Sequence, residues 1–327
     1  MEHDFKSMEK GELHVHLNGL VSTRLVIDLL QQQGAEIPDN FNLERDLTRF
    51  TPSPDLQTYL KPWQVLRLIP QGRTALNLMV FSAYENLAAQ NVKFVELRSS
   101  VIYLALLNNV TVPEALLWLT EEIYSASLKY GIRGGLILTV SRGDYAAEHL
   151  RTLLAAYASI GKPGIIVGLD LAGNEDTVSP TELPQLYRKA KSDLGLKVTI
   201  HAGETGKSQN IIEAITEFDA DRIGHGTAAF KSTKIMELMH KRDICVEVCP
   251  ISNRLTGAVK SSESHPVCEF IKFGVPFVIC SDNPAIHGAS ISDDYNEFYK
   301  ETENSAILEN MLTLQRKYSF MEDQNEN

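Results

Sequence analysis

Eight short apolar runs, separated by amphipathic segments, constrain this chain more than any other feature. The runs cover residues 13–17, 94–97, 135–140, 165–171, 198–200, 222–223, 244–248 and 276–280. Segments with helical periodicity lie at 75–89, 113–130, 145–160, 180–194, 209–218 and 232–241. Strand then helix, repeated eight times, predicts a parallel (β/α)8 TIM barrel. The run IIVGLDL is almost wholly apolar, as a strand covered on both faces must be. A barrel of 327 residues can form one domain, and no Pro/Gly/Ser linker divides it, so one domain over 1–327 is expected. Residues 38–73 are long for a loop. They carry Leu56, Tyr59, Leu60 and Trp63 at helical spacing, which predicts a helical insertion at the barrel mouth after the first strand. The tail from about 321 to 327 is polar and expected to fray.

Residues able to bind metal sit where these strands end. His14 and His16 lie in ELHVHLNG, His201 and Glu204 in HAGE, His225 in RIGHG and Asp282 in SDNPA. Alternate residues of a strand share a face, so His14 and His16 can grip one ion together. Barrel active sites form at the C-terminal ends of the strands, and every one of these residues falls there. Taken singly, each has a plainer reading. His225 could be a satisfied core histidine, Glu204 a cap of the following helix, and Asp282 an N-cap ahead of Pro284. Their common placement outweighs those readings. His3, His149, His240, His265 and His287 join no such constellation.

Composition narrows the partners. A net charge of −11 argues against nucleic acid, which needs Lys/Arg stripes. No stretch has the length of a membrane span, and the first residues lack the apolar core of a signal peptide. Cys245, Cys249, Cys268 and Cys280 lack C-x-x-C spacing and read as reduced thiols. A cytoplasmic location is the expectation, and the residues leave the oligomeric state open.

In order and spacing, ELHVHLNG, VELR, VGLDLAGNE, HAGE, RIGHG, CPISN and SDNPA resemble the adenosine deaminase family from about residue 10 almost to the C-terminus. The resemblance implies a (β/α)8 barrel with one zinc ion per chain and hydrolytic loss of ammonia from a 6-aminopurine. By position it implies zinc ligands at His14, His16, His201 and Asp282, and a proton donor at Glu204. It makes His225 the histidine that positions and deprotonates the attacking water. Gly173 matches a glycine meeting the purine ring. His16, Asn18, Asn283, Leu60 and Trp63 are the other expected substrate contacts, the last two from an apolar gate. Glu96 and Arg98 match positions read as structural.

Two positions depart from the family pattern. Asn18 replaces the Asp of H-x-H-L-D-G, and Asn283 replaces the second Asp of D-D-P. Asn at the first also occurs in a branch acting on N6-methylated AMP, but that branch favours HCGE over HAGE. An amide both donates and accepts, so Asn18 should tolerate 5′-modified ribose and Asn283 should donate to purine N7. The lead expectation is deamination of adenosine or 2′-deoxyadenosine. Its rivals are a deaminase of a modified or phosphorylated adenine nucleoside, a deaminase of adenine, and a non-catalytic purine-binding barrel.

Overall fold

The computed structural model describes residues 4–322; His3 and the tail beyond 322 lie outside the described residues. Eight strands run in chain order: β1 (Lys10–His16), β2 (Val92–Ser99), β3 (Arg133–Ser141), β4 (Ile166–Ala172), β5 (Lys197–Ala202), β6 (Arg222–His225), β7 (Cys245–Val248) and β8 (Phe277–Ile279). Each pairs in parallel with the next. Val15 forms a parallel bridge with Asp282, beyond β8. The Asp282 N–H donates to the His14 carbonyl (2.8 Å) and the His16 N–H to the Asp282 carbonyl (2.9 Å). The sheet therefore curls into a nearly closed barrel, and the bond that brings its ends together lies within the expected metal site.

Every expected strand is present, and all seven residues of β4 are buried. Helices such as Arg73–Ala89, Val112–Tyr130 and Ala146–Ser159 cover the outside. Val112–Tyr130 shows how the sequence starts one: the Thr111 side chain accepts from Glu114 N–H, and Pro113 fills the first turn, where its missing donor costs nothing. Among the described residues no single helix is long and apolar enough to cross a membrane. All four cysteines are free, three of them buried and Cys268 partly so.

The structure adds detail at three places. The stripe at 56–63 is not one helix but two single turns, Leu56–Tyr59 and Trp63–Leu66. Pro62 separates them, because a proline without an N–H cannot continue the first turn. Extra elements also begin earlier than residue 38, with Leu17–Leu20 and Thr23–Gln32 directly after β1. Of the polar tail expected at about 321–327, only residues 321–322 are described. Arg133 donates to the Glu322 carbonyl (2.9 Å), and the Phe320 ring lies 3.6 Å from the Arg222 guanidinium. Ser319 Oγ and the Phe320 N–H donate to Glu96 (2.7 and 2.5 Å). Residues 318–322 thus tie down a charged cluster inside the barrel that the sequence reading did not foresee.

Candidate active site

The ends of β1 and β5 and the turn after β8 bring His14, His16, His201 and Asp282 together, with one ligand atom from each lying within 4.8 Å of the others. His16 Nε2 is 3.3 Å from His201 Nε2, and Asp282 Oδ1 is 3.5 Å from His14 Nε2 and 3.4 Å from His16 Nε2. His14 Nε2 is buried with no hydrogen-bond partner. A polar atom so placed calls for something to bind it. Three imidazoles and one carboxylate form a donor set that suits a borderline ion such as zinc, so the residues fit the metal. Asp282 (φ +60°) and His225 (φ +63°) have left-handed backbones, which cost non-glycine residues energy and concentrate at functional sites.

Behind the histidines stand carboxylates missing from the sequence reading. Glu247 accepts from His14 Nδ1 (2.7 Å) and Asp170 from His201 Nδ1 (2.8 Å). Ser252 Oγ donates to Asp282 Oδ2 (2.6 Å). A carboxylate at Nδ1 fixes the ring tautomer and leaves the Nε2 lone pair facing the metal position. Arg98 and Arg222 neutralise these acids. Arg98 pairs with Glu247 (2.5 Å) and Asp170 (3.3 Å), and Arg222 with Glu247 (2.8 Å) and Glu96 (2.6 Å). The structural reading of Arg98 and Glu96 agrees with these contacts. A signal was available: Asp170 and Glu247 are lone acids within apolar strands, where a charge needs a partner.

Glu204 lies just past β5 and is buried. It caps no helix, since the next one, Ser208–Thr216, has Lys207 at its cap position. Nor does Asp282 cap Pro284–His287, whose cap position is Asn283, with no side-chain bond. Glu175, also missed, accepts from the Gly203 N–H (2.7 Å) and the Glu204 N–H (2.6 Å), holding the HAGE turn in place. Burial, and then the charges of Asp282 and Glu175, push the Glu204 carboxyl well above the usual range, which favours its protonated form. His225 Nε2 is 3.8 Å from Glu204 Oε1. Burial, then the neighbouring His14, drops His225 well below the usual imidazole value, leaving it neutral.

These groups face a cavity of about 420 Å³ lined also by Asn18, Leu60, Trp63, Gly173 and Asn283. Its size lies within the ~300–1,000 Å³ of small-molecule sites. Gly173 (φ +93°) holds a backbone that other residues rarely adopt, at the end of β4. The two Asn residues do more than border the cavity. Asn18 Nδ2 donates to the Leu66 carbonyl (2.9 Å), tying β1 to the gate. Asn283 Nδ2 donates to Asp282 Oδ1 (2.7 Å) and Tyr59 Oη (3.2 Å), so both its hydrogens are already used. Donation to purine N7 would have to displace one of these bonds. Tyr59 Oη also meets His287 Nε2 (2.7 Å), which gives His287 a role at the gate that the sequence reading withheld. His265 likewise stands behind His225, through Asn253. His149 and His240 stay outside the site: His149 stacks on Tyr145, and His240 bonds the Gly274 carbonyl.

With that geometry established, likeness to known proteins can be weighed. The adenosine deaminase family model matches residues 9–323. The chain belongs to the adenosine deaminase family. An adenosine deaminase of Clostridium botulinum (strain 657 / Type Ba4) is 30% identical over 295 residues, covering 89% of this chain and 87% of that protein. Among solved structures, the adenine deaminase of Arthrobacter aurescens superposes with a TM-score of 0.85 at 25% identity, covering 96% of this chain and 94% of that one. The Arabidopsis N6-mAMP deaminase superposes with a TM-score of 0.81 at 21% identity, covering 98% and 96%, and shares the fold. This member of the family is a hydrolytic deaminase built on a TIM barrel, with a His/Asp group able to hold a metal.

Proposed function

We propose that this deaminase converts adenosine or 2′-deoxyadenosine to inosine or 2′-deoxyinosine and ammonia, with one zinc ion held by His14, His16, His201 and Asp282. The observation that carries this reading is the buried Glu204 carboxyl 3.8 Å from His225 Nε2, beside a four-residue metal group. A metal bound there lowers the pKa of a water from ~15.7 to about 7 and so supplies hydroxide at neutral pH. The chain's own groups do the rest. Glu204 gives its proton to ring N1, which makes C6 electrophilic. His225 orders the oxygen that adds at C6 through Nε2. The added hydroxyl then gives its proton to N6, the C6–N6 bond breaks as the C6 carbonyl forms, ammonia leaves, and the proton shed by the next water restores Glu204. Asn18 keeps its Oδ1 for a ribose hydroxyl while one amide hydrogen serves Leu66.

One observation favours a second reading. Arg67 lines the same cavity, is exposed, and follows the residue that Asn18 holds. A guanidinium there suits a 5′-phosphate, in line with a deaminase of AMP-like substrates. Ammonia release from zinc-loaded protein, as kcat/KM for adenosine, 2′-deoxyadenosine, AMP, N6-methyl-AMP and adenine, separates the readings. Adenosine should lead. AMP at or above adenosine would move the assignment to nucleotides, and a clear preference for adenine would remove the ribose from it.

A further inference from the structure

We propose that Asn253 and His265 are positioning residues that keep the ring hydrogen of His225 on Nε2, making His225 a hydrogen-bond donor to the oxygen added at C6 instead of the base that the family resemblance implies. The proposal rests on the deaminase reading above and names how one of its residues works.

The chain of bonds has one unambiguous end. The Val267 N–H is a backbone donor, and His265 Nδ1 accepts it at 3.1 Å. A neutral imidazole carries one hydrogen, so that of His265 is on Nε2. Burial keeps His265 neutral, with its pKa lowered to about 3. His265 Nε2 is 3.1 Å from Asn253 Oδ1, which can only accept. The far side of that amide, Nδ2, can only donate, and it lies 3.0 Å from His225 Nδ1. His225 Nδ1 must therefore be an acceptor, and its single hydrogen sits on Nε2, the atom facing Glu204. Running the chain backwards fails at Val267, where two donors would meet. All three side chains are buried, so bulk water does not compete for these bonds.

A neutral imidazole with hydrogen on Nε2 cannot take another proton there. It can donate to an oxygen gaining negative charge, as aimed donors do for developing oxyanions. Asn253 is placed by the short helix Pro250–Leu255 after β7, and His265 by the turn before Val267–Phe273. Neither is among the residues lining the catalytic cavity.

The test uses the metal-loaded protein with 15N-labelled histidine, with the His225 signals assigned by their loss in His225→Gln. Protonated and bare ring nitrogens have well-separated shifts. The expected spectrum shows Nε2 of His225 protonated and Nδ1 bare. A hydrogen on Nδ1 would overturn the proposal. Asn253→Asp puts an acceptor opposite Nδ1 and should move the hydrogen to it. kcat should then fall about 10²-fold, with KM within about twofold and metal content unchanged. A moved hydrogen with unchanged kcat would also overturn it. If Asn253→Asp does not fold, the native spectrum still decides. Failure of every aminopurine to react would sink the proposed function and leave the tautomer result standing.

Discussion

The floor of the cavity and its gate are held in opposite ways. On the floor, three of the four metal-facing groups have their own buried partner: Glu247 for His14, Asp170 for His201, Ser252 for Asp282. Two arginines then hold the two carboxylates among them. The gate is two single helical turns joined to the floor by two amides, Asn18 to Leu66 and Asn283 to Tyr59. Both amides stand where the family pattern has Asp, and a carboxylate could make neither bond as a donor. The floor is over-determined because a misplaced ligand costs the chemistry. The gate rests on neutral hydrogen bonds worth roughly 0.5–1.5 kcal/mol each. Variants on the floor should therefore change kcat and metal content, and variants at the gate should change KM alone.

The largest effect is expected at His201. His201→Ala should abolish ammonia release and remove most of the metal, measured by elemental analysis of dialysed protein. Unchanged metal in the His14→Ala/His16→Ala protein would break the floor as described. Next comes Glu204→Gln, which keeps the shape but cannot deliver a proton. Its kcat should fall at least ~10²-fold with metal retained. The sign with pH follows from the raised Glu204 value: native activity is present while the carboxyl is protonated and declines as pH rises through that pKa. The glutamine variant should lose that alkaline limb, and a native-like profile would show that another group is the donor.

The supporting carboxylates should matter less than the ligands they hold. Asp170→Asn should weaken metal affinity or activity by about 10- to 100-fold, read by chelator competition. An effect below twofold would make Asp170 mere packing. The smallest effect belongs to the gate. Asn18→Asp should raise KM for adenosine by about 2- to 10-fold, the equivalent of one lost hydrogen bond, with kcat and metal content unchanged. A fall in kcat matching that of Glu204→Gln would erase the distinction between floor and gate.

The order of strands and the placing of His14, His16, His201, Glu204, His225 and Asp282 at one end of the barrel were legible because both are periodic, local signals. Apolar runs mark strands, and each motif lies at the end of one. Glu175, Asp170, Glu247, Asn253 and His265 were not picked out, although the first, second and fourth lie inside the quoted motifs VGLDLAGNE and CPISN. Their partners are 28 to 233 residues away in some pairs and 12 to 31 in others, and spacing along a chain says nothing of that. Within the helical insertion, periodicity alone did not show that Pro62 divides the stripe into two turns.

The sequence by itself determined a parallel barrel, a metal-type donor set at its catalytic face and membership of a deaminase family, because strand periodicity and motif order survive without coordinates. Only the tertiary structure decided which way the polar atoms point. It assigned one amide hydrogen each of Asn18 and Asn283 to the gate and set Glu204 among buried negative charges. It also aligned Val267, His265 and Asn253 behind His225. The physical reason is that donor direction and burial depend on neighbours brought together by barrel closure, and no single segment of chain contains both halves of such a contact.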